Sequence, residues 1–458
     1  MSEAQVMATG LPQPTKFYRW MVLIFVSLAM FGNYYVYDCI APVADLLSRQ
    51  LGFSDSNIGL LQGIYSVPNV FMVLIGGVIV DRIGTRKSIF IFGVLCMIGA
   101  IIPAYPDAIG KVLPLSTLWI MALGRLIFGL GAESLIVAVT TAIAKWFKGK
   151  ELSFAFGINL MIARFGSLLA QNSPSWAHGA YSNWRSPLVI SVFFGTMCIV
   201  GPIIYWGLEA RAERSYSLGA PSTDKVVFKD LFGFGISYWY IVALCIVFYS
   251  AIFPFETFAY KFFIDVHHTT REASGFLVGM LTFFTMIGTP LFGLFADKIG
   301  KRALLMMFGS VILIPVYLMM AYIQSPNQIM LHIPFLGSFD VPLILLITMG
   351  MMGIAFALIP AVMWPSVAYI VPEAKLGTAY GLMTMIQNIG LAGFNFLIGW
   401  ENDLGHAGPT NPSGYHLGMW TFSILGFLGL TFAFLLRSRE TGPHGHGLET
   451  ITTATASK

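Results

Sequence analysis

Two ionisable residues stand in stretches of the chain that are otherwise almost free of charge. Glu133 follows the run that begins at Gly124, and Arg164 lies in Ala163-Arg164-Phe165-Gly166-Ser167. A guanidinium can grip a carboxylate in a bidentate manner, and a carboxylate can receive an ammonium. An acid and a base that face one cavity are therefore suited to binding a zwitterion with separated charges. The alternative is that the two side chains neutralise each other as a static buried pair.

The elements that must position these residues are membrane-spanning helices. The 458-residue chain is 56% hydrophobic and only 10% charged, whereas a soluble globular domain carries about 25% charged residues. Each helical crossing needs about 20 apolar residues, and the sequence contains twelve such runs. They are residues 20–47, 57–80, 88–105, 117–144, 152–174, 187–208, 235–263, 273–295, 303–323, 341–367, 376–400 and 413–437. The predicted fold class is an all-α membrane protein.

Ionisable residues within such spans are costly and are candidates for function. At a rise of about 1.5 Å per residue, Glu133 lies roughly 16 Å and Arg164 roughly 18 Å from the same end of their spans. Both are predicted at the bilayer midplane, where secondary transporters bind their substrates. The same arithmetic puts Asp38 about 13 Å and Arg125 about 12 Å from the opposite ends, which predicts a structural or gating ion pair.

The basic residues indicate how the chain is oriented in the membrane. Most of the 26 Lys and Arg residues fall in loops on the side of the N-terminus; Arg49, Lys111, Arg185, Lys261 and Arg271 fall in the loops of the other side. Cytoplasmic loops carry an excess of such residues, so both termini are predicted to be cytoplasmic. This distribution also explains the net charge of +4 without a nucleic-acid partner.

An internal repeat divides the chain into two halves. Gly77-Val-Ile-Val-Asp81-Arg82-Ile-Gly84-Thr-Arg86 follows the second run, and Gly293-Leu-Phe-Ala-Asp297-Lys298-Ile-Gly300-Lys301-Arg302 follows the eighth. Parallel repeats of six helices are typical of one transporter architecture. The predicted domains are a cytoplasmic tail (1–16), a six-helix bundle (17–208), a cytoplasmic linker (209–234), a second bundle (235–437) and a cytoplasmic tail (438–458).

The G-x-x-x-D-R-x-G pattern at residues 77–84, in the loop after the second run, resembles the signature of the major facilitator superfamily. The segment that begins at Arg125 on the fourth helix resembles another motif of the same superfamily. The resemblance covers essentially the whole chain and implies the twelve-helix facilitator fold of two pseudo-symmetric bundles. Glycine suits a tight turn that needs positive φ. Asp81, Arg82, Arg86 and Asp297 are predicted to hold a cytoplasmic gate; alternatively they are only topology charges.

A narrower set of motifs resembles the subfamily of the lysosomal dipeptide transporter, major facilitator superfamily domain-containing protein one, and its microbial relatives. The motifs are Tyr65-Ser66-Val-Pro68-Asn69, Gly124-Arg125 through Glu133-Ser134, Trp146 through Leu152, Ala163 through Ser167, Trp364-Pro365, Val371 through Gly381, and Gln387-Asn388. The resemblance implies that Glu133 anchors the amino terminus and Arg164 the carboxyl terminus of the substrate. A dipeptide separates these charges by roughly 5 to 7 Å, at about 3.5 Å per residue.

Softer candidates surround this pair in the sequence. Tyr34, Tyr37 and Tyr65 are predicted to line the pocket with amphipathic rings, the alternative being ordinary packing. In the second half, Trp364 and Asn388 are candidate contacts, and Asn388 would bind the backbone amide of a peptide. Buried amides in helix bundles also bond across helices, which is the alternative for Asn388.

The predicted function is transport of dipeptides or similar small peptides by alternating access, and the resemblance implies uniport. The alternative is a proton-coupled carrier of organic anions or sugar acids in which Glu133 takes up a proton; Arg164 opposes this by stabilising the charged carboxylate. An alternative of another class is a non-transporting sensor or scaffold, disfavoured because the segments between spans are short.

No enzyme activity, cofactor or metal site is predicted, because the chain has no nucleotide-binding loop, nucleophile elbow or metal-ligand spacing. The expected partners are a small peptide and the lipid bilayer, with protons left open and no accessory subunit assumed. The sequence lacks an Asn-x-Ser/Thr acceptor and an acidic dileucine signal. A bacterial inner membrane is therefore the predicted location, in preference to a lysosomal membrane.

Overall fold

The computed structural model describes residues 12–147, 151–216, 233–372 and 375–452. Within these ranges twelve helices are long and apolar enough to cross a membrane, as predicted. The spans are Lys16–Leu51, Asp55–Ile83, Thr85–Ala104, Thr117–Phe147, Phe154–Gln171, Arg185–Ser215, Ile236–His267, Arg271–Ile299, Arg302–Tyr322, Leu343–Ile370, Leu376–Leu404 and Pro412–Glu440. Successive spans alternate in direction. We call the side of the N-terminal segment the near side and the opposite one the far side.

Several spans are interrupted or preceded by short elements. The first consists of helices Lys16–Asp38 and Ala44–Leu51 with a 3-10 turn, Ala41–Val43, between them. The second consists of Asp55–Gly63 and Ser66–Ile83, the sixth of Arg185–Gly195 and Met197–Ser215, and the helix of the fifth is Leu152–Gln171. Helices Pro106–Gly110 and Ser173–Trp176 and the 3-10 turn His178–Ser182 lie between spans, and Pro412–Tyr415 precedes helix His416–Glu440. Proline within a span also marks local bends.

By its internal contacts the chain forms two compact units. The first comprises Met1–Asp38, Phe71–Leu169 and Leu188–Thr223, and its helices approach closely through small residues. On the near side the buried Glu209 carboxylate accepts a hydrogen bond from Lys145 and lies 3.4 Å from the Thr85 hydroxyl. An uncompensated buried charge would be costly, so this pairing holds together the near-side ends of the third, fourth and sixth spans.

The second unit comprises Cys39–Val70, Ala170–Pro187 and Asp224–Lys458. Its core is built around the seventh span, two thirds of whose most apolar window is buried. Phe255 of this span meets the Tyr317 ring at 5.5 Å and the Phe422 ring at 5.9 Å, in edge-on contacts. A hairpin of strands β1 (Gln328–Ile333) and β2 (Gly337–Pro342) precedes the tenth span, with Gln328 opposite Pro342.

Lipid-facing surface accounts for much of what the helices leave exposed. On the eighth span Phe283, Ile287, Leu291 and Leu294 are each between 46% and 70% exposed. Their spacing of three or four residues puts them on one face of the helix. A helix that shows such a stripe outward is stable only in an apolar solvent, which is the bilayer.

Two local features bear on the repeated loops. Gly84 and Gly300 have φ of 83° and 71°, so both turns need the positive φ predicted for them. The predicted linker start at residue 209 differs from the helix boundary, because the helix of the sixth span continues to Ser215. Glu209 and Glu213 remain helical since they pair with Lys145 and Arg86 of the same unit. Residues 217–232, the remainder of the predicted linker, lie outside the described ranges.

Candidate functional site

Tyr34 of the first span is influenced by three charged residues of the first unit, Arg164, Glu133 and Asp38. The Arg164 guanidinium carbon lies 5.5 Å from the centroid of the Tyr34 ring, a cation–π distance. The charges of Glu133 and Asp38 act on the same tyrosine. Glu133 and Arg164, which sequence analysis placed at similar depth on the fourth and fifth spans, thus both act on Tyr34 of the first span.

Asp38 lies one helical turn beyond Tyr34, at the end of helix Lys16–Asp38. Its polar neighbours are the Ser167 hydroxyl and the guanidinium groups of Arg164 and Arg125. A carboxylate is disfavoured at a helix C-terminus, where the backbone already concentrates negative charge. The two guanidinium groups offset that cost. Asp38 is therefore a neighbour of the candidate substrate anchor Arg164 as well as of Arg125, its predicted partner.

Arg125 closes the C-terminal end of the same helix. It is 1% exposed, and it donates hydrogen bonds to the carbonyl oxygens of Val36 at 2.9 Å and Tyr37 at 3.2 Å. The last carbonyls of a helix have no partner within the helix, and in an apolar setting each needs one. The guanidinium carbon also lies 5.9 Å from the centroid of the Tyr37 ring. Arg125 thus caps the broken first span from the fourth span.

Close backbone approach positions Arg164 against the first span. A Cβ built on Gly166 would lie 2.3 Å from the Phe31 carbonyl oxygen, so only glycine permits the observed spacing of the first and fifth spans. Towards the near side, Ser27 donates to Asn159 at 2.9 Å across the same helix pair. The A-R-F-G-S motif therefore contains both the charged residue and the glycine that sets its position.

The fourth span is held beside the first and second by polar contacts that flank Glu133. Asn33 donates to the Ala132 carbonyl at 3.4 Å, and Ser134 donates to the Met72 carbonyl at 3.0 Å. Ser134 and Asn33 are both buried, and Glu133 itself is partly accessible. These contacts fix the turn of the fourth span that carries Glu133.

Tyr65, Trp364 and Asn388 belong to the second unit. Tyr65 is buried at the break in the second span. Trp364 donates its ring N–H to the Tyr249 hydroxyl at 2.8 Å, and its carbonyl accepts from Tyr380 at 3.2 Å. Asn388 donates to the Thr384 carbonyl at 3.0 Å, while its buried Oδ1 has no hydrogen-bond partner. Their roles in substrate binding stay predictions.

The predicted gating residues differ in their surroundings. Asp81 and Arg82 are exposed, whereas Arg86 forms a 2.7 Å salt bridge with Glu213. In the second unit Asp297 accepts from Arg302 at 2.8 Å, and the Arg302 guanidinium lies over the Tyr369 ring. Sequence analysis missed Arg302 and Glu213 as partners. The repeated loop motif, which includes Arg302, could have predicted that residue as a partner, but no motif includes Glu213.

Comparison with known proteins shows to which family the chain belongs. The Major Facilitator Superfamily profile matches residues 26–393 and again residues 268–454. The chain belongs to the major facilitator superfamily. It is a membrane transporter of that superfamily, as its twelve spans and its motifs predicted.

Individual relatives are consistent with this assignment. The lysosomal dipeptide transporter MFSD1 of Homo sapiens is 31% identical over 393 residues, which cover 83% of this chain and 79% of the relative. The probable sulfoacetate transporter of Cupriavidus necator is 23% identical over 303 residues, 62% of this chain and 66% of that protein. A bacterial homologue of the human lysosomal transporter Spinster, solved inward-facing and unoccupied, superposes with a TM-score of 0.70 at 18% identity, covering 93% and 98% of the two chains. It shows the shared fold.

Proposed function

We propose that this transporter carries dipeptides, held by their two charged termini between Glu133 and Arg164. The observation that carries the proposal is the position of the Arg164 guanidinium over the Tyr34 ring at 5.5 Å, with the charges of Glu133 and Asp38 acting on the same tyrosine. The similarity to a dipeptide transporter supports the same substrate class. Arg164 would bind the peptide carboxylate and Glu133 the ammonium, and Tyr34 would keep the two side chains apart.

The charge balance of the site favours a zwitterion. Arg125 and Arg164 are bases and Asp38 and Glu133 are acids, so the formal charges of the four groups cancel. A dipeptide with neutral side chains adds one charge of each sign and preserves that balance. Because a net charge in a low-dielectric site is costly, binding such a peptide requires no companion ion. Uniport by alternating access follows from this balance and is part of the proposal.

The orientation and the membrane are also proposed. The near side is the cytoplasm, since the loops on that side carry most of the Lys and Arg residues. Gene fusions that report cytoplasmic or extracytoplasmic location, placed after Ser215 and within the loop at residue 113, test this orientation. Activity of a periplasmic reporter at the first position would contradict it. A bacterial inner membrane is the proposed location.

The decisive experiment blocks one end of the peptide at a time. Alanylalanine, its N-acetyl derivative and its C-terminal amide are compared for thermal stabilisation of the purified wild type, Glu133→Gln and Arg164→Lys. Loss of one charge-assisted hydrogen bond of roughly 1.5 to 3 kcal/mol should weaken binding by about tenfold or more. N-acetylation should weaken binding to the wild type by this factor and should not weaken binding to Glu133→Gln any further. Amidation should likewise weaken binding to the wild type and should not weaken binding to Arg164→Lys any further.

Matched controls are Asp340→Asn and Arg439→Lys, which alter exposed residues of the second unit. Both should bind all three peptides as the wild type does. If N-acetylation and Glu133→Gln weaken binding independently, so that their effects multiply, Glu133 does not bind the amino terminus. Absence of stabilisation by any dipeptide would remove the substrate assignment altogether.

A carrier of small organic anions is the second candidate. It is favoured by the sulfoacetate relative and by the pair of guanidinium groups that flank Asp38. Such a substrate would need Arg164 and would be indifferent to Glu133 in binding. Stabilisation by a monoanion that persists in Glu133→Gln and is lost in Arg164→Lys would favour this candidate over the dipeptide.

A further inference from the structure

Residues 446–452, which we call the C-terminal segment, follow a turn that leads the chain back onto the second unit. The helix of the twelfth span ends at Glu440, a buried acid. Its carboxylate accepts hydrogen bonds from the Ser237 hydroxyl at 2.6 Å and the His446 backbone N–H at 2.7 Å, and the His446 Nδ1 lies 3.0 Å away. A Cβ on Gly445 would lie 2.2 Å from the Glu440 carbonyl oxygen, so the turn needs glycine there. The buried acid thus ties the turn to the start of the seventh span.

Beyond the turn, the C-terminal segment lies along the loop between the eighth and ninth spans. Leu448 is 0% exposed and belongs to the apolar core of the second unit. Its carbonyl oxygen accepts a hydrogen bond from the Arg302 backbone N–H at 3.3 Å. The Glu449 carbonyl accepts from the Lys301 N–H at 3.1 Å, and the Arg302 guanidinium donates to the Ile451 carbonyl at 2.7 Å. An apolar anchor and backbone hydrogen bonds therefore dock the segment on this loop.

Glu449 also caps the helix of the ninth span. In the described part of the chain, Lys301, the residue before helix Arg302–Tyr322, makes no capping hydrogen bond with its side chain. The Glu449 carboxylate instead accepts hydrogen bonds from the backbone N–H groups of Ala303 at 2.8 Å and Leu304 at 3.3 Å. The first N–H groups of a helix lack partners within it, and a negative charge is favoured there. The C-terminal segment thus supplies a cap from outside the loop.

The two copies of the repeated loop differ in this respect. Gly84 in the first copy and Gly300 in the second both have positive φ. A Cβ on Gly300 would lie 3.1 Å from the Glu449 carbonyl oxygen and 3.3 Å from that of Ile451. A Cβ on Gly84 would meet no atom of the described residues within 4 Å. The cover is therefore a property of the C-terminal segment and not of the loop motif.

The docked segment holds a point at which three spans meet. Arg302 begins the ninth span, and its guanidinium donates to Asp297 of the eighth at 2.8 Å and to the Tyr369 hydroxyl of the tenth at 3.3 Å. The same residue is bonded to the C-terminal segment through its N–H and its guanidinium. A segment that binds one arrangement better than another shifts the population towards it. Docking therefore favours the arrangement in which these near-side ends are together.

The turn contains a group that can make docking depend on pH. The His446 side chain is 41% exposed, whereas the Glu440 side chain is inaccessible. Among the described residues, Glu440 of the twelfth span is the charged group that faces His446, and the seventh span contributes the neutral hydroxyl of Ser237. A histidine gains a positive charge as the pH falls through the physiological range. Its hydrogen bond to a carboxylate then becomes charge-assisted and stronger, so the turn is held more firmly at low pH.

We propose that the C-terminal segment is a strap that fastens the near-side ends of the second unit and tightens as the pH on that side falls. The sensor is the pair of His446 and Glu440 at the turn, and the anchors are Leu448 and Glu449. Such a strap lets the near-side pH act on the transporter without requiring a proton to cross the membrane. It depends on no particular substrate and on none of the proposed binding residues.

Hydrogen–deuterium exchange of the ligand-free protein at about pH 6 and about pH 8 tests the sensor. Protection factors, which correct for the pH dependence of chemical exchange, are compared in peptides 299–305 and 366–371. Lowering the pH should raise wild-type protection about threefold, as expected of a partly exposed ion pair. His446→Gln keeps a hydrogen-bonding side chain that cannot gain charge, so its protection should be equal at both pH values. His444→Gln, which changes an exposed histidine of the same turn, is the matched control and should respond as the wild type does.

Leu448→Asp removes the anchor instead of the sensor. An acid in place of a buried leucine should undock the strap and lower the protection of peptide 299–305 about tenfold or more at both pH values. Deletion of residues 446–458 should give the same loss, which keeps the test valid if the substitution disturbs folding. Peptide 52–63, on the far side of the second unit, should be unchanged in every variant.

Several outcomes would overturn the proposal. A wild type without a pH response, or a response that persists in His446→Gln, would show that the imidazole is not a sensor. Unchanged protection of peptide 299–305 in both Leu448→Asp and the deletion would show that the segment does not dock. Equal losses in near-side and far-side peptides would mean that the segment only supports folding. Because no substrate is added, failure of the dipeptide assignment leaves these measurements untouched, and the two proposals fail separately.

Discussion

At the scale of single residues, one buried guanidinium has a structural role that can be separated from substrate binding. Arg125 donates to the carbonyls of Val36 and Tyr37 where the first helix ends, and its charge lies beside Asp38. Arg125 binds backbone carbonyl oxygens, whereas Arg164 stacks on the side-chain ring of Tyr34. The same residue type thus serves a helix end in one place and a candidate binding site in the other.

Arg125→Met should lower the thermal stability of the ligand-free protein. The change removes two hydrogen bonds from a charged donor, each contributing about 1.5 to 3 kcal/mol, and removes a cation from beside Asp38. The measurement is thermal unfolding in detergent. Arg86→Met is the control, because the Arg86–Glu213 pair is 29% and 41% exposed and such pairs contribute about 0 to 1 kcal/mol. Equal losses of stability in the two variants would contradict the capping role.

At the scale of elements, the position of Arg164 depends on how closely the fifth span approaches the first. Gly166→Ala places a methyl group where the Phe31 carbonyl now lies, so the two spans must move apart. Arg164 and Ser167 would then shift away from Tyr34 and Asp38. We expect binding of alanylalanine to weaken about tenfold or more, because displaced partners lose charge-assisted hydrogen bonds.

Gly157→Ala is the matched control for this change. Gly157 lies in the same helix, and a Cβ there meets no atom within 4 Å. Alanine is favoured over glycine within a helix by about 1 kcal/mol, so this variant should be as stable as the wild type or slightly more stable. Peptide titrations followed by thermal stabilisation measure both variants. Similar affinities for Gly157→Ala and Gly166→Ala would show that the close approach does not position Arg164.

The same elements show which features sequence analysis could predict. The twelve spans follow from long apolar runs, and the positive φ of Gly84 and Gly300 follows from the repeated turn. Sequence analysis predicted a shared depth for Glu133 and Arg164, because helix rise is nearly constant, but it did not predict that both lie near Tyr34. The capping role of Arg125 was not predicted either, since backbone carbonyls leave no mark in a sequence.

Pairing across distant parts of the chain was equally hidden. Asp55 and Lys261 are 206 positions apart, and Asp45 and Arg271 are 226 apart. Each is an ordinary charged residue at the end of a span, where charge is expected. Nothing local distinguishes a residue that pairs across spans from one that faces water. The break of the first span after Asp38, by contrast, has a local mark in Pro42, whose missing N–H cannot bond to the Asp38 carbonyl.

At the scale of the whole molecule, the charge balance proposed for the candidate site predicts how transport responds to membrane potential. With Arg125, Arg164, Asp38 and Glu133 cancelling, a dipeptide with neutral side chains moves no net charge across the bilayer. Its flux through a uniporter should follow its own concentration gradient. Proteoliposomes that contain the purified transporter should take up alanylalanine equally with and without an imposed potential, and a pH gradient should not drive accumulation.

A dipeptide that carries one extra negative charge should behave differently. Moving one elementary charge through 100 mV corresponds to about 2.3 kcal/mol. Uptake of alanylaspartate should therefore slow when the vesicle interior is made negative and speed up when it is made positive, while alanylalanine serves as the internal control. If instead alanylalanine is driven uphill by a pH gradient alone, a proton moves with each peptide. Glu133→Gln would then be expected to abolish that accumulation, which would identify the carboxylate that takes up the proton.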